Sequence, residues 1–235
     1  MITPNKLSAN IGGVLGTLVR HPPRLLIAVV TAVFLAALSP TGAAAALPVA
    51  LELGKAERAD IARVEAYLNG VKTVRARFMQ ISSTGELAQG DFYLLRPGKM
   101  RIQYAPPVPI LIVADGTWLI YYDRELEQVS YIPLNSTPAG ILVADKISLL
   151  ADDVTVTGFE HKAGMVRITL VRTDSPEEGS LTLVFSDQPL ALRKWTVVDA
   201  QGVVTNVSLI DAHFDVPLDP KLFRFKNPKL FKEIN

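Results

Sequence analysis

Apolar residues recur at two different spacings along this chain, and the change from one to the other divides it. Between Lys55 and Asn69 (KAERADIARVEAYLN), Ile61, Val64 and Leu68 fall at helical spacing, with Ala62, Ala66 and Tyr67 beside them. Charged residues occupy the other face and Gly70 follows as a stop, which predicts one amphipathic helix. After it the period becomes two. Strands are predicted over 71–82, 90–95, 100–104, 110–114, 117–122, 154–160, 165–172, 180–185, 191–198 and 203–214, with Gly, Pro and Asp-rich turns between them. Asp115-Gly116, between two apolar runs, predicts a tight hairpin of the type I′ kind. Evenly spaced strands with short turns imply an antiparallel, meandering sheet.

One segment departs from the β pattern. Ser136-Thr137-Pro138 has the hydroxyl and the proline of a helix start, and Ala139 to Leu150 are apolar on nearly every side. Such a helix has to be covered on more than one face, and the mouth of a curved sheet is the natural place for it. Ile110-Leu111-Ile112-Val113 and Trp118-Leu119-Ile120-Tyr121-Tyr122 are also apolar on both faces. An ordinary open antiparallel sheet alternates instead. Two helical segments are thin cover for so many strands, so the sheet is expected to curve around an apolar space. Periodicity by itself does not separate a hollow from a filled β-barrel core.

The first 46 residues form a unit of another kind. Lys6, Arg20 and Arg24 precede a 14-residue run from Leu25 to Leu38, broken by Thr31 alone; Ser39-Pro40 and the small residues up to Ala46 follow. Basic, apolar and small in that order is a secretory signal, and the run is shorter than the roughly 20 residues that span a membrane. Export to the periplasm follows, with the mature domain at 47–235 and its core at about 55–228. Removing 46 of 235 residues leaves 189, with three of the 24 basic and none of the 23 acidic residues gone, so the net charge becomes −2. Near neutrality argues against nucleic acid as a partner and shows no polybasic run for anionic lipid. The absence of cysteine excludes disulfides and a cysteine-borne lipid anchor, so core burial stabilises the fold and the protein is expected to float free as a monomer.

Chemistry-bearing motifs are few. His161 and His213 have no carboxylate or second histidine at metal-ligand spacing and read as ordinary strand or turn positions; His21 lies in the signal. Nucleophile elbow, phosphate loop and dinucleotide fingerprint are missing. Neither metal nor cofactor is expected, and catalysis is not. The Asn135-Ser136-Thr137 and Asn206-Val207-Ser208 triplets match glycosylation acceptors by chance.

A longer series of residues carries a resemblance. Arg77-Phe78-Met79-Gln80, Gly90-Asp91-Phe92-Tyr93, Arg96-Pro97-Gly98-Lys99-Met100-Arg101-Ile102-Gln103-Tyr104, the Val113-Ala114-Asp115-Gly116 hairpin with Trp118 and Tyr121-Tyr122, the Thr137-Pro138 helix and Asp219-Pro220-Lys221-Leu222-Phe223-Arg224-Phe225 follow one another in this order. The series resembles the LolA family of outer-membrane lipoprotein carriers. The resemblance implies a mainly β (α+β) fold, an incomplete antiparallel barrel with a helical lid over a hydrophobic cavity that takes acyl chains of lipoproteins. It makes Arg96 a latch to the lid-helix backbone and Met100, where the family often has Phe, a residue of the partner-contact edge. Phe78, Phe92, Leu94, Ile102, Tyr104, Ile112, Trp118, Ile120, Ile141, Leu142 and Leu149 become candidate lining. The implied partners are lipoproteins, an inner-membrane lipoprotein-releasing ABC transporter, and a LolB-like receptor or the outer membrane directly. Alternatives on the same fold are a lipoprotein-sensing module, a binder of free lipid and a cofactorless enzyme.

Overall fold

The helical and period-two segments meet in space much as their patterns require, in a computed structural model that describes residues 49–228; the expected signal lies outside the described residues. Helix α1 (Lys55–Gly70) buries Ile61, Val64 and Leu68 and ends where Val71 N donates to Tyr67 O at 3.2 Å. Eleven strands follow: β1 (Thr73–Ser82), β2 (Leu87–Leu95), β3 (Lys99–Tyr104), β4 (Ile110–Asp115), β5 (Trp118–Asp123), β6 (Gln128–Pro133), β7 (Val154–Lys162), β8 (Met165–Arg172), β9 (Gly179–Ser186), β10 (Ala191–Asp199) and β11 (Val204–Phe214).

The strands form one sheet in the order β6-β5-β4-β3-β2-β1-β11-β10-β9-β8-β7. Each half is a meander, and the first and last strands pair with each other in the middle. Every pairing is antiparallel. Pairing β6 with β7 would close a barrel. The sheet stays open there, and residues 134–153, which connect these two edges, supply helix α2 (Pro138–Val143) instead.

Register decides which side chains share the concave face. Val74, Ala76 and Phe78 of β1 stand opposite Leu94, Phe92 and Gly90 of β2, and these opposite Met100, Ile102 and Tyr104 of β3. On the other half, Val207, Trp195, Leu183 and Ile168 line up across β11, β10, β9 and β8. With α1, Leu142, Val143, Ile147 and Leu149 they make one buried cluster. Gly90 is where the sheet needs the absence of a side chain: a Cβ there would lie 2.8 Å from the Phe78 ring. That ring packs edge-on against Tyr104 with centroids 5.1 Å apart.

The structure departs from the sequence pattern in three places. β6 is unannounced by period two, because Gln128-Val129-Ser130-Tyr131-Ile132-Pro133 is a short, largely solvated edge strand ending in proline. Helix α2 is six residues long and stops at Val143. The Thr137 hydroxyl does not cap it but donates to Leu134 O at 2.8 Å, and Ile147 and Leu149 reach the core from non-helical backbone. The Asp115-Gly116 turn is not type I′, which needs positive φ at both central residues. Only Gly116 has it (φ 111°), while the Asp115 carboxylate accepts from Thr117 N and Trp118 N, each at 2.9 Å.

Candidate functional site

The site is the concave face with the two segments that cover it. Ile61, Val64, Leu149, Val166, Ile168, Leu170, Leu183 and Phe185 have no accessible surface at all, so no water-sized void adjoins them. The described form is therefore closely packed at these residues of α1, β8 and β9 and at Leu149, while Ile102, Tyr104 and Ile112 on the β3–β4 part of the concave face keep some accessible surface.

Beside its buried apolar side chains, the cover is held by a set of polar ties. The β2–β3 turn touches both covering segments: Arg96 Nη2 donates to Leu68 O in the last turn of α1, and Gly98 N donates to Val143 O, the last residue of α2, at 2.7 Å. Gly98 sits at φ +75°, and a Cβ on it would lie 2.8 Å from Gly116 Cα of the neighbouring hairpin. The covering segments are also stitched together. Asn69 donates to Ile147 O and accepts from Ile147 N, both at 2.8 Å, and Glu65 Oε1 accepts from Leu149 N. Tyr67 OH accepts from Leu192 N of β10 at 3.2 Å.

Near the start of α1 a cluster of charges ties the helix to the far half of the sheet. Arg63 donates to Asp60 at 3.1 Å and to Asp187, in the β9–β10 turn, at 2.7 Å. His161 of β7 lies between the same carboxylates, Nδ1 2.7 Å from Asp60 and Nε2 3.3 Å from Asp187. The hydrogen bond to Asp60, then that to Asp187, raises the imidazole pKa, and Arg63 foremost lowers that of Asp187. Sequence spacing could not reveal this cluster, since its members come from three separate stretches of chain.

Arg96 is 8% exposed, and its Nε and Nη1 have no hydrogen-bond partner among the described residues. Burial lowers its pKa, and the Asp145 charge opposes that only partly. Its acceptor is the backbone of α1, not of α2. Burial likewise pushes the Tyr104 hydroxyl up to about 12, although it donates to Gln80 Oε1 at 2.6 Å.

Of the residues singled out in the sequence, Phe78, Phe92, Leu94, Ile102, Tyr104 and Ile112 lie on the concave face, and Leu142 and Leu149 press on it from the cover. Ile141 is half-buried and borders a crevice beside Leu170 and Leu181. Met100, expected at a partner-contact edge, is 3% exposed: register pairs it with Leu94 and Ala114 inside the core cluster, so a partner would reach it only after the cover moved. Trp118 and Ile120 require correction. Both point to the opposite, outer face, where Ile120 packs with Leu111 and Val113 and Trp118 is 40% exposed against Tyr131. The outside of this part of the sheet is covered in part by the chain's own C-terminal strap: the 3₁₀ turn Pro220–Phe223 lies on β3 and β4, and Phe225 packs on Tyr122 of β5.

Among the described residues no helix is long and apolar enough to cross a membrane. The sequence model of the family "Outer membrane lipoprotein carrier protein LolA" matches residues 69–226. The outer-membrane lipoprotein carrier protein of Methylococcus capsulatus is 32% identical over 183 residues, covering 74% of this chain and 86% of that protein. Its counterpart in Chromobacterium violaceum is 36% identical over 181 residues, again 74% of this chain and 86% of the relative. A solved LolA superfamily protein from Nitrosomonas europaea is similar at 10% identity and a TM-score of 0.43, covering 70% of this chain and 97% of that one. With the family match running from the end of α1 to Lys226 and such relatives aligned over most of both chains, this chain belongs to the LolA family.

Proposed function

We propose that this protein is a periplasmic carrier that shelters the acyl chains of lipoproteins released from the inner membrane and delivers them to the outer membrane. Family membership carries the reading, and the construction of the cover supports it physically. In the shut form α1 and residues 138–149 occupy the place an acyl chain would take, so cargo enters by displacing them. Burying a methylene contributes about 0.8 kcal/mol, so a chain of about sixteen carbons offers on the order of 12 kcal/mol gross against that displacement. Phe78, Phe92, Leu94, Ile102, Tyr104 and Ile112 are the proposed contacts on the sheet, with Ile141, Leu142 and Leu149 on the cover.

Arg96 is the proposed latch. In the empty form its guanidinium keeps one backbone acceptor in a dry site; with acyl chains in place of the Leu68 carbonyl it would keep none. A charge that costs more in the loaded form than in the empty one lowers net affinity and lets cargo leave. The reading includes removal of the N-terminal signal near Ala46. It also includes action by binding rather than catalysis, a releasing ABC transporter at the inner membrane, and a LolB-like receptor or the outer membrane itself as acceptor.

The test is to recover the protein from the periplasm of expressing cells and identify what travels with it by mass spectrometry. Triacylated lipoprotein is the expected passenger. Free lipid alone, or small metabolites alone, would replace the carrier with one of the other uses of the fold.

A further inference from the structure

The outer face of β3 to β5 holds a second concavity, away from the cover. It is a groove of about 610 Å³ lined by Arg101, Leu111, Tyr122, Lys221, Arg224, Phe225 and Lys226. That is within the span of small-ligand clefts, roughly 300–1,000 Å³. Its floor is apolar, with Phe225 against Tyr122 at a centroid distance of 5.4 Å. Four cations surround that floor, and among the described residues no carboxylate lines it. Among the described residues none of the four is ion-paired with a carboxylate. Glu125 and Glu127 lie in the β5–β6 turn and do not line the groove.

The strap that builds the groove is firmly seated. Arg101 Nη1 donates to Leu222 O at 3.0 Å while its Nη2 donates to Gln103 Oε1 at 2.8 Å, and the Asp219 carboxylate accepts from Lys221 N at 2.9 Å. Lys221, Arg224 and Lys226 remain exposed, with their charged ends available. Sequence composition conceals the cluster, because Arg101 is more than a hundred residues from the other three.

We infer that this groove receives the phosphate of an anionic phospholipid headgroup, so that the protein rests on a membrane by its outer face. Charge complementarity calls for an anion, and the surroundings favour a lipid surface over an acidic peptide. Trp118 and Tyr131, both on this outer face, are 40% and 49% exposed and stack edge-on at 6.4 Å, and Leu126 on the hairpin tip is 61% exposed. Lysine and arginine combined with exposed tryptophan, tyrosine and leucine is the composition of surfaces that lie at a bilayer interface. The inference goes beyond the carrier reading, for the groove and the cover lie on opposite faces of the sheet.

Protein from the soluble periplasmic fraction is mixed with vesicles of phosphatidylcholine, with and without added phosphatidylglycerol, and partitioning is read by flotation. Preference for the phosphatidylglycerol vesicles, lost on adding salt, is expected. Combined Lys221→Glu, Arg224→Glu and Lys226→Glu should lower that partitioning at low salt by more than the roughly hundredfold expected from removing the three charges alone, since each basic residue at an anionic surface contributes about fivefold. The matching glutamine variant should fall between, which guards against a folding defect in the reversed one. Lipoprotein recovered with the protein should be the same in all three. Equal partitioning of the glutamine variant and the unaltered protein, or indifference to phosphatidylglycerol, would overturn the site. So would binding of an acidic peptide such as polyglutamate without vesicle binding, which would assign the groove to a protein partner.

Discussion

The two faces of β3 to β5 are both apolar, and each is covered by chain from elsewhere, yet the covers are built differently. On the concave side, Met100, Ile102 and Ala114 lie beneath helices whose ties to the β2–β3 turn are a guanidinium bond to Leu68 O and a backbone bond to Val143 O. On the outer side, Leu111, Val113 and Ile120 lie beneath a strap that inserts its own side chains, Phe223 at 2% exposure and Phe225 against Tyr122. Detaching the strap would expose aromatic surface of its own. The cover over the concave face, by contrast, rests partly on a buried charge with two unpartnered nitrogens, a contact that hydration on opening would relieve. Both covers bury apolar side chains, and each is tied by a guanidinium bond to a backbone carbonyl, Arg96 to Leu68 O and Arg101 to Leu222 O; the difference is that Arg96 is buried while Arg101 is also met by Gln103. On the proposed function the first is the removable cover and the strap the permanent one.

The largest effect should come from breaking the permanent cover. Phe223→Ala removes a fully buried ring and is expected to lower the free energy of unfolding by roughly 3–5 kcal/mol, read by urea denaturation. Lipoprotein recovered per folded molecule should stay the same. A loss below about 1 kcal/mol would mean that the strap is no more fixed than the helices, since truncating a packed phenylalanine ordinarily costs several times that.

Changing the removable cover should act on cargo more than on stability. In Arg96→Leu the empty form loses one charge-assisted hydrogen bond and is also relieved of a buried, poorly paired charge, and these two terms oppose each other. In the loaded form only the relief remains. The variant should therefore bind lipoprotein and release it to acceptor membranes more slowly, by about thirtyfold if roughly 2 kcal/mol of the penalty is removed. Release at the unaltered rate would end the latch assignment.

Much of this arrangement is legible in the residues, and the failures share a cause. Helix α1 follows directly from the spacing of Ile61, Val64 and Leu68, all of which are buried. Ten of the eleven strands are marked by short apolar or alternating runs between turn residues, β4 and β5 being apolar on both faces, and β6 escapes because an edge strand need not alternate. Face assignment succeeds at Phe92 and Leu94, where the Arg96 turn gives a reference for parity. It fails at Trp118 and Ile120 because β5 is apolar on both sides, a pattern equally compatible with a hollow and with a strap that arrives a hundred residues later. The all-round apolar stretch after Thr137 is buried as foreseen at Val143, Ile147 and Leu149. Its helix is short, however, since Asn69 and Glu65 capture the backbone of Ile147 and Leu149 in a non-helical form. Contacts distant in sequence decide the cases of β5 and of the stretch after Thr137.

The smallest expected effect concerns the other end of α1, where the comparison predicts a tie that responds to pH while the Arg96 contact does not. His161 faces Asp60 and Arg63 of the helix and Asp187 of the β9–β10 turn; its strand neighbours Glu160 and Lys162 pair with each other, and Arg167 joins Glu160. The folded-state pKa of His161 is raised, so its contribution is fully present below the ordinary imidazole value and is lost as pH rises through the raised one. Asp187 is lowered, so its contribution holds above the ordinary carboxylate value and is lost only as pH falls through the lowered one. Between those limits the clasp is complete, and mildly acidic solution lies inside the window while alkaline solution lies outside it. Amide hydrogen exchange in the first half of α1, corrected for its intrinsic pH dependence, should therefore be slower at mildly acidic pH than at alkaline pH, by a small factor because the cluster is open to solvent. His161→Gln should flatten that dependence, and amides beside Leu68 at the Arg96 end should show none in either protein. A pH response of equal size at both ends, or one that survives the glutamine substitution, would show that the helix moves as a whole and that His161 does not govern it.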